Sequence, residues 1–569
     1  MKKRTAWVLA AAVAALALGA AAVGAVALVL RGGGSARLAL GSTPFLALDL
    51  SGDLPEETSA GFAGLFESHP PSLRGLVEAV DRAASDPQVK GLVLRVGSID
   101  AGWARIGELR DALVRFRRSG KPSWAHLEVA GTQEYYLATG CARIAASPTA
   151  LLDVSGLAAE VTFYRGTLDK LGVEAQFEGV GKYKNAPNQY TETAFTEPHR
   201  EQMEALVGSL FDNFVRGVAE GRGLSANEVR AAVDAAPFDG EHAKAKGLID
   251  EVLYRDQLET RLGISGRIAP ARYLKGARGM GFGSRPKIAV VYAVGTILPG
   301  ESQSSPFGGG LVGADTIVRG LREALEDGSV RAIVLRVDSP GGSGTASDAV
   351  WREIGLARRL KPVVVSMGDY AASGGYYISM NADAIVAGPA TITGSIGVFS
   401  GKFSMRGLYQ KLGLSQDVVQ RGRFSRLFSS SRPWDAEERA RVREMNQAFY
   451  ATFVAKAAEG RKKTREEIEA VAQGRVWSGR DALAVGLVDQ LGGLDVAVSV
   501  ARQKARLKGE SGLAVYPAKK GVFELLMERQ DEDVATRVLG PRAGSLLRWM
   551  SALGDGRPIA RLPFDVSVR

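Results

Sequence analysis

A serine between small residues follows an apolar run in the second half of the chain. Residues 369–377 read DYAASGGYY, with Ser373 at their centre. Small neighbours let the backbone turn sharply between a strand and a helix, and they let a substrate carbonyl approach the hydroxyl. The N–H groups at the start of the following helix are then free to bind an oxyanion. The pattern predicts Ser373 as a nucleophile for acyl transfer.

A pair of glycines stands at the end of the preceding apolar run. Residues 338–343 read DSPGGS and follow the run 332–337. Glycines at the carboxyl end of a parallel strand suit backbone N–H groups that point into a site, where one oxyanion donor contributes about 2.7–4 kcal/mol. Alone the motif is a weak signal, because many such pairs are ordinary turns. Beside the stretch 369–377 it indicates an oxyanion hole.

A serine nucleophile needs a base, and histidine is scarce in this chain. The four histidines are His69, His126, His199 and His242, all in the first half. His126 lies in an apolar strand, where a structural role is favoured. Lysine is the known alternative base. Burial would lower its pKa from the reference value of about 10.4, as base catalysis requires.

The chain contains two copies of one domain. Residues 89–96 read VKGLVLRV and residues 330–337 read VRAIVLRV, an offset of 241. Tyr135 and Tyr376 keep the same offset, and later segments keep an offset of 239. One register held over about 150 residues indicates a tandem duplication.

The two copies have lost opposite parts of the candidate site. Thr132 stands in the first copy at the position of Ser373, and polar residues replace the glycines that follow. Ser425 stands in the second copy at the position of Lys184. This complementarity predicts one composite site with Lys184 as base. Periodicity does not separate Lys184 from Lys182, because residues two apart on a strand share a face.

Strands alternate with helices in each copy, which predicts α/β domains with parallel sheets. In the second copy we expect strands at 288–297, 332–337, 363–366 and 384–387, and helices around 317–325 and 347–360. The predicted organisation is an anchor and linker at 1–35, a first domain at 40–265, a linker at 266–286, a second domain at 287–515 and a tail at 516–569.

The N-terminus predicts a transmembrane helix. Basic residues 2–4 precede 24 uncharged residues, Trp7–Leu30. That run can cross a hydrocarbon core of about 30 Å, whereas the apolar region of a cleaved signal peptide spans about 7–15 residues. Basic residues before the segment favour a cytoplasmic N-terminus and exported domains. The net charge of +10 is dispersed, which favours an anionic bilayer over nucleic acid as its neighbour.

At these residues the chain resembles signal peptide peptidase A in its long form, also called protease IV, of peptidase family S49. The resemblance covers about residues 40–515 and the anchor. It implies tandem Clp-protease/crotonase-like domains, with Ser373 as nucleophile and Lys184 as base. It also implies that Ser395, in the stretch TGSIG, supports the lysine, and that Gly374 and Gly342 donate to the oxyanion.

The resemblance further implies a homotetramer on the exported side of the cytoplasmic membrane that degrades remnant signal peptides. Extended apolar peptides are the expected partners, and no cofactor, metal or nucleic acid is expected. Two alternatives stay open. One is a crotonase-like acyl-CoA enzyme, and the other is a non-catalytic membrane scaffold with degenerate protease domains.

Overall fold

A computed structural model describes most of the chain. The described residues are 44–57, 72–277, 286–302, 310–509, 511–518 and, as backbone, 559–561. The predicted anchor at 1–35 and most of the tail at 516–569 lie outside them. Within the described residues no helix combines the length and the apolar character that crossing a bilayer requires.

The first copy is an α/β domain. Its strands are β1 (Phe45–Asp53), β2 (Gly91–Asp100), β3 (Ser123–Gly131), β4 (Arg143–Asp153), β5 (Glu174–Val180), β6 (Glu251–Val252) and β7 (Arg267–Ile268). Its helices are α1 (Leu73–Ser85), α2 (Trp103–Arg117), α3 (Thr132–Ala138), α4 (Arg165–Leu171), α5 (Asn188–Thr191), α6 (Glu197–Arg222), α7 (Ala226–Ala235), α8 (Gly240–Ala245), α9 (Arg255–Arg261) and α10 (Pro270–Ala277). All strands except β5 form a parallel sheet in the order β6-β4-β3-β2-β1-β7.

The second copy repeats this plan. Its strands are β8 (Lys287–Val294), β9 (Thr296–Leu298), β10 (Leu311–Gly313), β11 (Val330–Ser339), β12 (Gly341–Ser343), β13 (Val363–Ala372), β14 (Ala384–Ala387), β15 (Ile392–Gly394), β16 (Val398–Ser404), β17 (Val476–Ser478), β18 (Gln490–Leu491) and β19 (Gly512–Tyr516). Its helices are α11 (Ala314–Glu326), α12 (Gly344–Ala357), α13 (Gly374–Ser379), α14 (Arg406–Lys411), α15 (Ala436–Arg461), α16 (Arg465–Val471), α17 (Gly479–Ala484) and α18 (Leu494–Lys504). The central order is β13-β11-β8-β19, and β20 (Ile559–Arg561) follows in the tail.

The strands predicted at 332–337, 363–366 and 384–387 in the second copy are confirmed. Residues 332–337 are all buried within β11, because layers of helices cover both faces of a parallel sheet. α11 buries Ile317 and Leu321 on one face, as the helical spacing predicts. The predicted strand 288–297 is divided at Gly295, whose φ of 102° suits glycine, into β8 and β9.

The tandem duplication is visible in the geometry. α6 and α15 have 26 residues each and begin 239 positions apart. The order β3-β2-β1 in the first sheet matches β13-β11-β8 in the second. The first copy is also longer than expected. β7 pairs with β1, and α10 buries Tyr273 and Leu274, so structured residues of this domain reach 277 rather than 265.

A segment of the first copy, residues 174–184, extends into the second copy and joins the two. We call this segment the arm. β5 pairs antiparallel with β16, from Val180 opposite Val398 to Glu174 opposite Ser404. Together they belong to a sheet with the order β10-β9-β12-β20-β16-β5. Ala372 of the second copy is packed into the apolar core of the first. The arm carries the chain from β5 directly toward the end of β13.

Candidate active site

Ser373 lies in a sharp turn between β13 and α13. Its φ is 55° and its ψ is −111°, a conformation that costs free energy in a residue other than glycine. Hydrogen bonds hold the turn, since the N–H of Ser373 donates to the carbonyl of Gly394 over 2.8 Å. A side chain at Gly375 would lie 2.6 Å from the carbonyl oxygen of Ser339, so the glycine is required by close packing. The sequence pattern of small residues therefore reflects a crowded elbow.

Lys184 reaches Ser373 from the first copy. The Nζ of Lys184 lies 2.7 Å from the Oγ of Ser373, within hydrogen-bonding distance, and both side chains are buried. Burial lowers the pKa of Lys184 well below its ordinary value of 10.5. Desolvation destabilises the ammonium form, so the neutral amine that can accept a proton is favoured.

Ser395 completes the surroundings of the amine. The Nζ of Lys184 lies 2.9 Å from its Oγ and donates to its carbonyl oxygen over 3.1 Å. Ser395 also has a positive φ, 51°, and its N–H donates to the carbonyl of Arg475 over 2.7 Å. Two acceptors besides Ser373 therefore orient the amine.

The segment around Lys184 is a turn and not a strand. The assumption that Lys182 and Lys184 share a face is therefore wrong: Lys182 is exposed, with its Nζ 4.6 Å from the ring centroid of Tyr183, whereas Lys184 points inward. The N–H of Tyr183 donates to the carbonyl of Gln473 over 2.8 Å. A side chain at Gly474 would lie 2.5 Å from the backbone nitrogen of Lys184, so glycine permits this contact.

The predicted oxyanion glycines belong to two elements that contact each other, β12 and α13. Gly341 and Gly342 form β12, with φ values of 104° and 156°, and β12 contacts α13. The N–H of Gly341 donates to the Oγ of Ser339 over 3.1 Å and is thereby occupied. Gly374 opens α13, where the first N–H groups of a helix have no acceptor inside it. Gly342 and Gly374 are thus the better candidates for donors to an oxyanion.

A slot for an extended strand lies beside these glycines. The backbone of β20 lies between β12 and β16 and pairs antiparallel with β12, with Gly342 opposite Ala560. It also pairs with β16, where Ile559 lies opposite Phe399. The sequence contained no signal for this contact, because β20 belongs to a tail without a counterpart in the first copy.

The sequence patterns do not identify a role for two aspartates beside the site, the buried Asp369 and the partly buried Asp338. Asp369 accepts N–H groups of Gly102, Ala104 and Arg105 at the start of α2, over 2.9, 3.0 and 2.9 Å, and pairs with the guanidinium of Arg105. Asp338 accepts the N–H of Tyr370 over 2.9 Å. Burial raises the pKa of Asp338 to about 7. Both aspartates stand inside the two motifs, but the partners of Asp369 belong to the other copy and the partner of Asp338 lies 32 residues along the chain, so no local pattern identifies their role.

A fully buried arginine adds a second ionic contact between the copies. Arg336 of β11 pairs with Glu56 over 2.7 Å and with Glu108 over 2.9 Å. Both carboxylates belong to the first copy. Within the described part of the chain, no group of three or more His, Cys, Asp or Glu side chains could hold a metal ion.

The corresponding position in the first copy has different contacts. Thr132 donates its hydroxyl to the carbonyl of Gly156 over 3.0 Å. Glu134, at the position of Gly375, accepts the N–H groups of Ile99 and Gly131, each over 3.1 Å. Ser425, at the position of Lys184, is exposed. The first copy therefore has a threonine in place of the serine, and the second copy has no lysine at the position that corresponds to Lys184.

Comparisons with known proteins agree with a protease. The model of the family "Peptidase family S49" matches residues 115–266 and 356–508, one segment in each copy and more than half of the chain. Serine protease SPPA, chloroplastic, of Arabidopsis thaliana is 34% identical over 81% of this chain and 69% of its own length. Protease 4 of Salmonella typhi is 33% identical over 83% and 78%, and Protease 4 of Haemophilus influenzae is 30% identical over 94% and 90%.

Among solved structures, a ClpP1 mutant from Listeria monocytogenes matches 36% of this chain and 92% of its own, with 16% identity and a TM-score of 0.24. The sequence relatives define the class: this protein is a serine protease. The chain belongs to peptidase family S49.

Proposed function

We propose that this chain is a membrane-anchored serine endopeptidase that uses a Ser373/Lys184 dyad and degrades remnant signal peptides. The 2.7 Å separation between the Nζ of Lys184 and the Oγ of Ser373, inside a buried site, is the observation that carries the proposal. A buried lysine with a lowered pKa is the form of lysine that can act as a general base near neutral pH.

The proposed reaction has two halves. Neutral Lys184 takes the proton of the Ser373 hydroxyl while Oγ bonds to the substrate carbonyl carbon. The N–H groups of Gly342 and Gly374 bind the oxyanion that forms. When the C–N bond breaks, the Lys184 ammonium returns its proton to the leaving amine, and an acyl-enzyme remains.

Hydrolysis of the acyl-enzyme uses the same groups. Lys184 takes a proton from a water molecule, and the hydroxide oxygen bonds to the acyl carbon. The ester C–O bond then breaks, and Lys184 returns the proton to the Oγ of Ser373. Ser395 keeps the amine aligned with Oγ during both halves, since its Oγ and carbonyl lie 2.9 and 3.1 Å from the Nζ.

The slot between β12 and β16 supports an extended peptide as substrate. Backbone pairing would bind such a peptide with little dependence on its side chains. The pairing of residues 559–561 with Gly341–Ser343 illustrates how a strand fits there. In the same proposal this segment of the chain competes with substrate for the slot.

The substrate and location rest on the resemblance and on Trp7–Leu30. An apolar signal peptide lies in the bilayer after release, and an anchored protease meets it there. We propose that the domains lie on the exported side of the cytoplasmic membrane as a homotetramer. The basic residues before Trp7–Leu30 support that orientation.

A serine-reactive probe tests the dyad. Full-length protein in detergent should be labelled at one site per chain and should cleave a synthetic signal peptide, with fragments identified by mass spectrometry. Ser373→Ala should abolish labelling and cleavage, whereas Thr132→Ala, the matched change in the first copy, should keep both. Cleavage by Ser373→Ala at the rate of the parent would overturn the nucleophile. Labelling without cleavage of signal peptides would overturn the substrate alone.

A further inference from the structure

A carboxylate of the second copy caps a helix of the first copy. Asp369 lies in β13, four residues before Ser373, and is 3% exposed. It accepts the N–H groups of Gly102, Ala104 and Arg105 at the start of α2, over 2.9, 3.0 and 2.9 Å. Gly102, the N-cap residue, has no side chain that could accept them, so the cap comes from the other copy. The dipole of α2 also favours a negative charge at this end.

The start of α2 is shaped to fit this carboxylate. A side chain at Gly102 would lie 2.2 Å from the Cγ of Asp369, so glycine permits the close approach. The Nε of Arg105 donates to Asp369, and its Nη1 donates to the carbonyl of Leu54 over 2.8 Å. The side chain of Arg105 is only 17% exposed. Because all these groups belong to the first copy, the packing of that copy fixes where Asp369 lies.

Asp369 is the middle residue of a bulge in β13. The ladder between β11 and β13 shifts register at Asp338, opposite which β13 has three residues, 368–370. The N–H of Tyr370 donates to the Oδ1 of Asp338 over 2.9 Å. Bulges next to active sites re-aim side chains. Here the bulge carries the side chain that meets the first copy.

The bulge is linked to both halves of the candidate site. On one side β13 continues to Ser373, whose N–H donates to the carbonyl of Gly394. On the other side Asp338 precedes by four residues Gly342, the candidate oxyanion donor. A displacement of Asp369 would therefore reach the nucleophile through four residues of backbone and the oxyanion loop through Asp338.

Arg105 also balances the charge of two neighbouring carboxylates. Burial, together with the charge of Asp369, raises the pKa of Asp338 to about 7, against the lowering effect of Arg105. The same cluster contains one more arginine and two more carboxylates, Arg336, Glu56 and Glu108. Four carboxylates thus face two guanidinium groups, and the loss of Arg105 would leave Asp338 and Asp369 to repel each other.

The first copy has no equivalent of this arrangement. With the offset of 241, the counterparts of Asp369, Asp338 and Arg105 are Glu128, Gly97 and Ala346. Glu128 is exposed, and the other two carry no charge. The ion pair therefore accompanies the copy that has the serine and is not part of the plan that the two domains share.

We propose that Arg105 is a positioning residue for the nucleophile, which acts through Asp369 to hold the turn that aims the Ser373 hydroxyl at Lys184. The first copy then acts on both members of the dyad. Its arm supplies Lys184, and the start of α2 fixes the strand end that carries Ser373. This inference rests on the proposed function, because it assigns a further part of the same site.

Arg105→Gln tests the role in the full-length protein. In hydrolysis of a peptide ester we expect kcat to fall about 10- to 100-fold, with KM changed less than about twofold. The reason is that misplacement of a reacting group costs transition-state stabilisation more than substrate binding. Arg105→Lys keeps the charge without the guanidinium fork and should have an intermediate kcat. A kcat equal to that of the parent in both variants would overturn the proposal.

Arg115→Gln is the matched control. Arg115 lies about 15 Å further along the same helix and also pairs with the second copy, through Asp495 over 3.0 Å. Both variants should lower the melting temperature, since each removes an ion pair between the copies. Only Arg105→Gln should lower kcat more than about twofold. Equal losses of kcat would show that Arg105 merely helps to hold the copies together.

A second substitution distinguishes positioning from adhesion. Asp338→Asn removes one of the two carboxylates that Arg105 balances, while its amide oxygen can still accept the N–H of Tyr370. In the Arg105→Gln background it should raise kcat at least about threefold, because the repulsion that displaces Asp369 is gone. A lost adhesive contact would not be restored by removing another charge. A kcat no higher than that of Arg105→Gln alone would overturn the proposal.

The parent protein separates this inference from the proposed function. If the serine probe does not label Ser373 in the parent, the dyad is refuted and the positioning role with it. If the parent is labelled and hydrolyses the ester while Arg105→Gln keeps the same kcat, only the positioning role is refuted.

Discussion

The two copies differ most at the ends of β3 and β13, the matching strands of their sheets. In the second copy the chain turns at Ser373 with a positive φ, and Gly375 lets the backbone of Ser339 pack closely against the start of α13. In the first copy Thr132 begins α3, and the carboxylate of Glu134 accepts two backbone N–H groups there. The first copy thus holds a carboxylate of its own at the end of the strand, whereas the second copy has Gly375 at that position.

Strained backbone among the described residues is concentrated around the candidate site. Five described residues other than glycine have a positive φ, and Ser373, Ser395 and Gln473 among them border the site. Thr132 is not one of them. The second copy carries this cost because the turn aims the hydroxyl at Lys184. The first copy has no such turn, but its arm places Lys184 beside Ser373 of the second copy.

The largest expected effect comes from replacing Lys184, the lysine that the arm of the first copy places beside Ser373. We expect Lys184→Ala to lower kcat by about 10³-fold or more, because the hydroxyl of Ser373 then has no base. Lys182→Ala is the matched control two residues away and should change kcat less than about twofold, since its side chain is exposed. Steady-state hydrolysis of a peptide ester measures both. A larger loss in the control would assign the base to Lys182.

A second difference between the copies is the slot between β12 and β16, which β20 of the tail occupies in the second copy. Deleting residues 519–569 should raise kcat/KM about three- to tenfold through a lower KM, since an occupied slot reduces the fraction of chains ready to bind. Ala560→Pro should act in the same direction, because proline lacks the N–H that a strand pair needs. An unchanged KM in both variants would show that residues 559–561 do not compete with substrate.

The smallest expected effect concerns stability. Burial lowers the pKa of Lys184 below 10.5, so the unfolded chain binds one proton more than the folded chain between the two values. The resulting penalty on folding is absent above pH 10.5, grows as the pH falls and is constant below the lowered pKa. Lys184→Met should therefore raise the melting temperature at pH 7, with the gain shrinking toward pH 10.5.

Ser425→Met is the matched control for this measurement. Ser425 holds the equivalent place in the second copy and is exposed, so its replacement should leave the melting temperature near that of the parent. A lower melting temperature for Lys184→Met at pH 7 would contradict a destabilising lysine. The two variants thus compare how the side chains at the equivalent positions 184 and 425 affect the melting temperature.

Local sequence was informative wherever a contact lies within one element. The glycines around Ser373 and the apolar run of β11 predicted their own strands and turn, because sterics and burial act on neighbours in the chain. The offset of 241 predicted two similar domains, which the sheets confirm. The opposite losses at Thr132 and Ser425 then predicted that a site must draw on both copies.

The amino-acid sequence by itself thus determined the duplication, the α/β class, the nucleophile candidate and the need for a partner lysine. Only the tertiary structure decided which lysine reaches Ser373: Gly474 lies against the backbone of Lys184, whose side chain is buried, whereas that of Lys182 is exposed. It alone paired Asp369 with Arg105, 264 residues apart. The physical reason is the same in both cases: desolvation and hydrogen bonding depend on what surrounds a group in space, and here the surroundings come from the other copy.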